Sequence, residues 1–392
     1  MRDLLKFIFL FPISIAWTSE PINSFEYQSA RLNNNMLTDS SSQNWRQESV
    51  TSLYAFLKTQ HKIGSFIINT ASVLNYVDSP LYKEETLAKA YITSPNSYVS
   101  RDSFNLFLKK TNQESSYAIG LSEFNISQDS DEIFWEVGRF NIEFGKGKAF
   151  NPINPFNYNS TFSTSPIFTQ GIDGLHIELK KDPKFALNIY LLGDRSYSED
   201  HSENHKSLII RGDWSYSESV HINYMLGEDQ NRHFYGIEAL KVLGSFSIFG
   251  QLVKASQELE NQSQDNQDIF HYLMGIEASL YKSWLSQLEL GRFDQNEKGT
   301  TLPRNFYLPF NKMISWINNY RVSDNQRVAL HTSQDLESNA VAYIISGTYE
   351  YNPNYEIGFF FSSLMGDLSK DEKYLAQHNI PQKIGLKIRA KF

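Results

Sequence analysis

The sequence predicts an all-β chain, a transmembrane antiparallel up-and-down β-barrel of about 16 strands, with 14 to 18 within reach. Three observations lead there. The last ten residues alternate strictly, with Ile384, Leu386, Ile388, Ala390 and Phe392 on one side of an extended strand and Lys383, Gly385, Lys387, Arg389 and Lys391 on the other. Faces this different belong between an apolar and an aqueous medium. Past Trp17 no apolar run approaches the roughly 20 residues of a spanning helix. The 392 residues nevertheless hold 28 Phe, 22 Tyr and 6 Trp. That combination suits a wall in which every second residue meets lipid and aromatic girdles mark both interfaces.

The chain opens with an export signal. Arg2 and Lys6 precede the apolar run Phe7 to Trp17, and Ser14-Ile15-Ala16 sets small residues before a cut after Ala16. Residues 1–16 are therefore expected to leave, and 17–48, polar and without period, read as a disordered arm. The barrel is expected over 49–392. With no Cys there is neither a lipid attachment site nor a disulfide framework.

From residue 170 onward, strand pairs follow one another. Leu175, Ile177 and Leu179 alternate with His176, Glu178 and Lys180, the turn Lys181-Asp182-Pro183-Lys184 comes next, and Phe185, Leu187, Ile189 and Leu191 continue. Leu208, Ile210, Trp214 and Tyr216 oppose Ser207, Arg211, Asp213 and Ser215, and Val220, Ile222, Tyr224 and Leu226 oppose His221 and Asn223. Further pairs are expected at 231–241 with 244–256, 268–281 with 284–293 and 338–351 with 354–364, before the last strand at 381–392. Short turns alternate with longer connections at 193–205, 257–267, 294–337 and 365–380, apart from the short one at 228–230. Hairpins thus close on one membrane face and loops extend from the other. Earlier candidates are 50–60, 63–73, 86–93, 102–110, 115–123 and 132–143. The short turn between 50–60 and 63–73 breaks the loop order, which calls for a strand elsewhere or a pair hidden in 312–335.

One segment stands apart from generic barrel sequence: Val137-Gly138-Arg139-Phe140 runs into Gly145-Lys146-Gly147 and then Asn151-Pro152-Ile153-Asn154-Pro155-Phe156. It resembles a strand-end signature of porin-like outer-membrane families, with Phe144 where that pattern carries Trp. The alternation in 383–392 with its terminal Phe likewise resembles the insertion signal of Gram-negative outer-membrane barrels, carried here by Ile384, Leu386, Ile388 and Phe392. The resemblance implies passage of small solutes. Gly145 and Gly147 would let the chain fold inward at the rim, and Pro152 and Pro155 would stiffen the residues after them. Gly145, Gly147, Asn151, Pro152, Asn154 and Pro155 are thus candidates for a loop that constricts the lumen, against the alternative of a loop packed on the rim. The Gly-Lys-Gly-Lys run lacks the glycine spacing and the Ser or Thr of a phosphate-binding loop.

If apolar parity marks lipid, the opposite parity gives a pore lining. It collects Glu132, Glu136, Glu178, Lys180, Arg211, Asp213, Glu238, Glu277, Glu289 and Glu350, and the closing strand adds Lys383, Lys387, Arg389 and Lys391. Acidic wall facing basic ladder makes a transverse field that orients dipolar solutes. The expected function is passive diffusion of small polar or charged solutes across the outer membrane, without cofactor or metal. His201 and His205 stand four apart in a loop, where that spacing fixes no shared face. The competing reading is a barrel enzyme or adhesin working through acidic outer loops at 194–203 and 258–268, although no Ser-His arrangement is fixed by spacing. Expected partners are outer-membrane lipid and lipopolysaccharide, the barrel-assembly machinery and small solutes, and the length also allows a homotrimer. A net charge of -8 argues against nucleic acid.

Overall fold

The structure, a computed structural model, describes residues 22–34, 46–78, 107–111, 115–149, 151–154, 171–197, 202–229, 232–257, 267–281, 283–293, 312–337, 340–365 and 382–391. The early strands are β1 (Ile22–Asn34), β2 (Arg46–Ile63), β3 (Phe66–Asp78), β4 (Phe107–Thr111), β5 (Ser115–Asp129) and β6 (Ile133–Phe140). The central ones are β7 (Ile172–Asp182), β8 (Phe185–Tyr197), β9 (Ser202–Ser217), β10 (Val220–Asp229), β11 (Arg232–Leu243) and β12 (Phe246–Gln257). The last are β13 (Gln267–Leu280), β14 (Trp284–Phe293), β15 (Lys312–Ser323), β16 (Gln326–Asp335), β17 (Val341–Asn352), β18 (Tyr355–Met365) and β19 (Gln382–Lys391).

The ladder is cyclic and antiparallel. Consecutive strands pair from β5 to β19, β3 pairs directly with β5, and β1 pairs with β2 on one edge and β19 on the other. Nineteen strands less β4 leave eighteen in the ring among the described residues. The short β4 pairs with Ser116 to Gly120 of β5, while β6 pairs with Phe124 to Asp129 on the same edge. It fills the wall where β6 has left it.

Outward positions are apolar and exposed: Leu208, Leu226, Ile237, Leu252, Ile276, Leu288, Ile345 and Phe359 all show large hydrophobic surface. A belt of this extent is stable against hydrocarbon, where a closed ladder also satisfies every backbone group. The C-terminal strand has the same polarity, with Ile384 and Leu386 exposed by 61% and 63% and Ile388 by 49%. Phe392 lies outside the described residues.

Three expectations change. The ring has eighteen strands, at the upper end of the 14 to 18 expected rather than at 16. Residues 22–34, expected within a disordered arm at 17–48, form β1 and close the barrel, and β2 starts at Arg46, ahead of the expected boundary at 49. The connection expected at 294–337 contains β15 and β16, the pair that the sequence left open within 312–335. Because β3 pairs directly with β5, the short β2–β3 turn falls on the same face as the other short turns, and β1 makes the number of strands in the ring even. Expected strand 86–93 and the leader 1–16 lie outside the described residues.

Candidate functional site: a segment folded into the lumen

The site begins where β6 departs from the wall. Gly138 takes φ 122, and a Cβ there would stand 2.2 Å from the carbonyl oxygen of Phe124. Only glycine accepts both the conformation and the approach. Beyond it Arg139 is fully buried: Nε and Nη2 donate to the two carboxylate oxygens of Asp173 at 2.6 and 2.8 Å, and Nη1 donates to the carbonyl of Leu121 at 2.9 Å. Asn125 Nδ2 donates to the carbonyl of Arg139, and Gly171 N to that of Ser122. Both ends of the segment leaving the wall are thus stitched to β5.

Residues 141–149 and 151–154 then fold into the lumen. Ile142, Phe144 and Ile153 form one buried apolar cluster with Leu192, Ile209, Met225, Phe234 and Val253, all inward positions of β8 to β12. Gly145 takes φ 74, and a Cβ there would lie 2.5 Å from Asn151 Oδ1, Gln251 Nε2 and Ile153 Cγ2 alike. The loop is tied to itself, Asn151 Nδ2 donating to the carbonyl of Phe144 and Asn154 Nδ2 to that of Ile142. It also reaches far across: Lys146 N donates to Glu238 Oε2 at 2.9 Å, Lys148 N to Glu289 Oε1 at 2.6 Å and Ala149 N to Glu289 Oε2 at 2.9 Å. From β6 to β14 is eight strand positions (14 − 6) round a ring of eighteen. Over the described part of the expected loop, the chain packs on inward positions of β8 to β12 and bonds to β11 and β14. Gly145, Gly147, Asn151, Pro152 and Asn154 all belong to it, with the left-handed conformation at Gly145 rather than Gly147. Pro155 lies outside the described residues.

The predicted lining divides. Glu136, His176, Asn188, Asp213 and Arg211 form one chain on the inner wall: His176 bonds Glu136 at 3.0 Å and Asn188 at 2.8 Å, Asn188 donates to Asp213, and Arg211 donates to Asp213 at 2.7 Å. Arg211 lies over the Phe144 ring at 4.8 Å, and His176 stacks on Tyr190 at 4.2 Å. Through Arg211 the polar wall therefore also grips the inserted segment. Glu178 and Glu277 are half-buried on inward positions, and Lys180 pairs with Asp129 at the short-turn end. Glu132 belongs to the β5–β6 turn, not to the wall, because β6 starts at Ile133. Glu350 stands 3.8 Å from Arg327, and Arg389 is 3.9 Å from Glu356, so part of the basic ladder is matched by acids. Lys387 sits on the inward face opposite Gly358 and Gln28. Lys383 and Lys391 pair with Leu32 and Ser24 of β1.

Sequence reasoning missed the apolar part of the inner wall. Its signal was there: Leu191-Leu192, Ile209-Ile210, Met225-Leu226, Phe234-Tyr235 and Leu252-Val253 are doublets, apolar on both parities, in five consecutive strands. No group of three or more His, Cys, Asp or Glu suited to a metal occurs among the described residues. The outer segments of the enzyme or adhesin reading, 198–201 and 258–266, lie outside them, as does His201.

Fold and site together define a class: a wide closed transmembrane barrel into which, among the described residues, a segment after β6 is folded. No family model and no curated protein matches the chain. Among solved structures it is similar to OccK9 (OpdG) of Pseudomonas aeruginosa, with a TM-score of 0.57, 8% identity and 95% of this chain on 99% of that one. It is also similar to OccAB4 of Acinetobacter baumannii, at 0.55 and 10% identity over 95% and 98%. A third is Pseudomonas aeruginosa OpdK with vanillate, at 0.54 and 6% identity over 95% and 98%. At such identities the likeness speaks for the fold.

Proposed function

We propose that the chain is an outer-membrane channel through which small polar or charged solutes diffuse passively. The observation that carries the reading is the inserted segment. An eighteen-strand ring is too wide for wall side chains alone to fill, and residues 141–149 and 151–154 narrow it while leaving Glu143, Lys146 and Lys148 exposed. A barrier that selects by size and charge is built this way, with polar groups at a narrow point in an otherwise wet path. One fold neighbour was crystallised with vanillate, a small aromatic carboxylate, which supports solutes of that size. The belt would contact outer-membrane lipid and lipopolysaccharide, and the barrel-assembly machinery would read the exposed face of β19. The role is conduction, not catalysis.

Conductance of the purified full-length protein in planar bilayers tests this. Stepwise ion-conducting events are expected. A folded barrel that stays electrically silent would overturn the reading.

A further inference from the structure

We propose that Glu238 and Glu289 are the positioning residues of the constriction. They latch the inserted segment across the lumen by its main-chain amides and so set the size of solute that passes. The consequence for permeation rests on the channel reading; the latch itself does not.

Inward parity alone makes both residues wall charges that would attract cations. Their surroundings say otherwise. Both are almost fully buried, 3% and 1% exposed. Each sits midway along its strand, so the latch lies near the middle of the barrel. Glu238 accepts Lys146 N and Gln251 Nε2 on one oxygen and Asn223 Nδ2 on the other, at 2.9, 2.5 and 3.0 Å. Glu289 accepts Lys148 N at 2.6 Å and Ala149 N at 2.9 Å, one on each oxygen, and Gln287 Nε2 at 2.6 Å. Two successive amides converging on one anion form a nest. The Gly-Lys-Gly-Lys run does cradle an anion, and that anion is the wall's own carboxylate. Gln287 also donates to the carbonyl of Lys146 at 3.2 Å, which fixes the segment's direction.

The apolar cluster could hold Phe144 and Ile153 in several ways, since packing is not directional. The carboxylates admit one arrangement, because bonds between an ion and aligned N–H groups are strong and geometrically specific. They are therefore the part of the contact that fixes the bore.

The test uses the full-length protein carrying Glu238→Gln or Glu289→Gln, read first by hydrogen–deuterium exchange of the 141–154 peptide. Replacing an acceptor oxygen by an amide group should speed its exchange about ten- to hundredfold, while strand peptides stay protected. Glu289→Asp, which keeps the charge, should fall between. Unchanged exchange in both Gln variants would overturn the latch. If Glu289→Gln does not fold, Lys148→Pro removes a donor from the segment and leaves the wall intact; equal exchange there is equally fatal. Single-channel conductance is the second reading, with a higher step and a larger solute cut-off expected in the Gln variants. Freed exchange with unaltered conductance and cut-off would overturn the size-setting role. Freed exchange in a barrel that never conducts, in wild type or variant, would keep the latch and discard the channel.

Discussion

Arg139 is a cation that the wall hides completely, and it holds the point where the chain turns inward. Its fork to Asp173 and its third bond to Leu121 leave neither charge to water. Removing one partner strands the other, which costs about 3–5 kcal/mol. Asp173→Ala should lower barrel stability by that amount in urea titrations of the reconstituted protein. A change within error would mean the pair contributes nothing there. Arg139 was visible in the sequence as part of a motif, but its partner was not: Asp173 falls on the lipid-facing parity beside Leu175, where a lone acid should itself have been a signal. Gly145 carries a second prediction. With φ 74 and three atoms 2.5 Å from the place a methyl group would take, Gly145→Ala must displace the segment. Limited trypsin digestion of the folded barrel should then cut faster after Lys146 and Lys148. Equal cutting would show that the segment absorbs a methyl group without moving.

At the scale of elements, β19 and β7 to β14 were legible as strands because alternation runs through most of their length, most cleanly on β19. On β19 the direction is testable: Leu386→Arg puts a charge into the outer belt and should cost about 2–4 kcal/mol near the bilayer midplane. Refolding into vesicles of matched thickness measures it, and an unaffected refolding equilibrium would contradict the lipid-facing assignment. Other elements were illegible for physical reasons. In β1, Ser24, Glu26, Gln28, Ser29 and Arg31 scatter polarity over both faces, so no period emerges; its ladders to β19 and β2 decide its state. In β15, Met313 and Ile317 are inward and buried while Ile314 and Trp316 point out, which blurs the same signal. The doublets of β8 to β12 were misread differently, as strands with one lipid face, when their second apolar face serves the inserted segment. Ile209→Asn should loosen that segment while the ring persists, seen as trypsin cutting at Lys146 with the heat-modifiable gel mobility of the folded barrel retained. Loss of the folded band would instead make the cluster part of the ring's own stability.

Across the whole molecule, charge is distributed less simply than parity suggested. Glu238 and Glu289 are committed to backbone amides, Asp213 to Arg211, and Glu356 approaches Arg389. Lys387 remains an inward position on the basic strand. Within the proposed channel, Lys387→Glu reverses one charge along the path, so cations should gain on anions by about two- to fivefold at low salt. The reversal potential across a salt gradient reports it. An unmoved potential would place Lys387 away from the path of the ions.

What the amino-acid order determined alone was polarity along most strands, because a period of two is a local property that survives without knowledge of neighbours. From it came the closed barrel and the outward belt, while the inward fold expected at Gly145 and Gly147 came from the glycine and proline spacing. Only the tertiary structure decided how many strands share the ring, since closure depends on which edges meet. It also decided what the inner charges do: Lys148 and Glu289 lie 141 positions apart, and nothing local tells a carboxylate whether it will face water or a backbone amide.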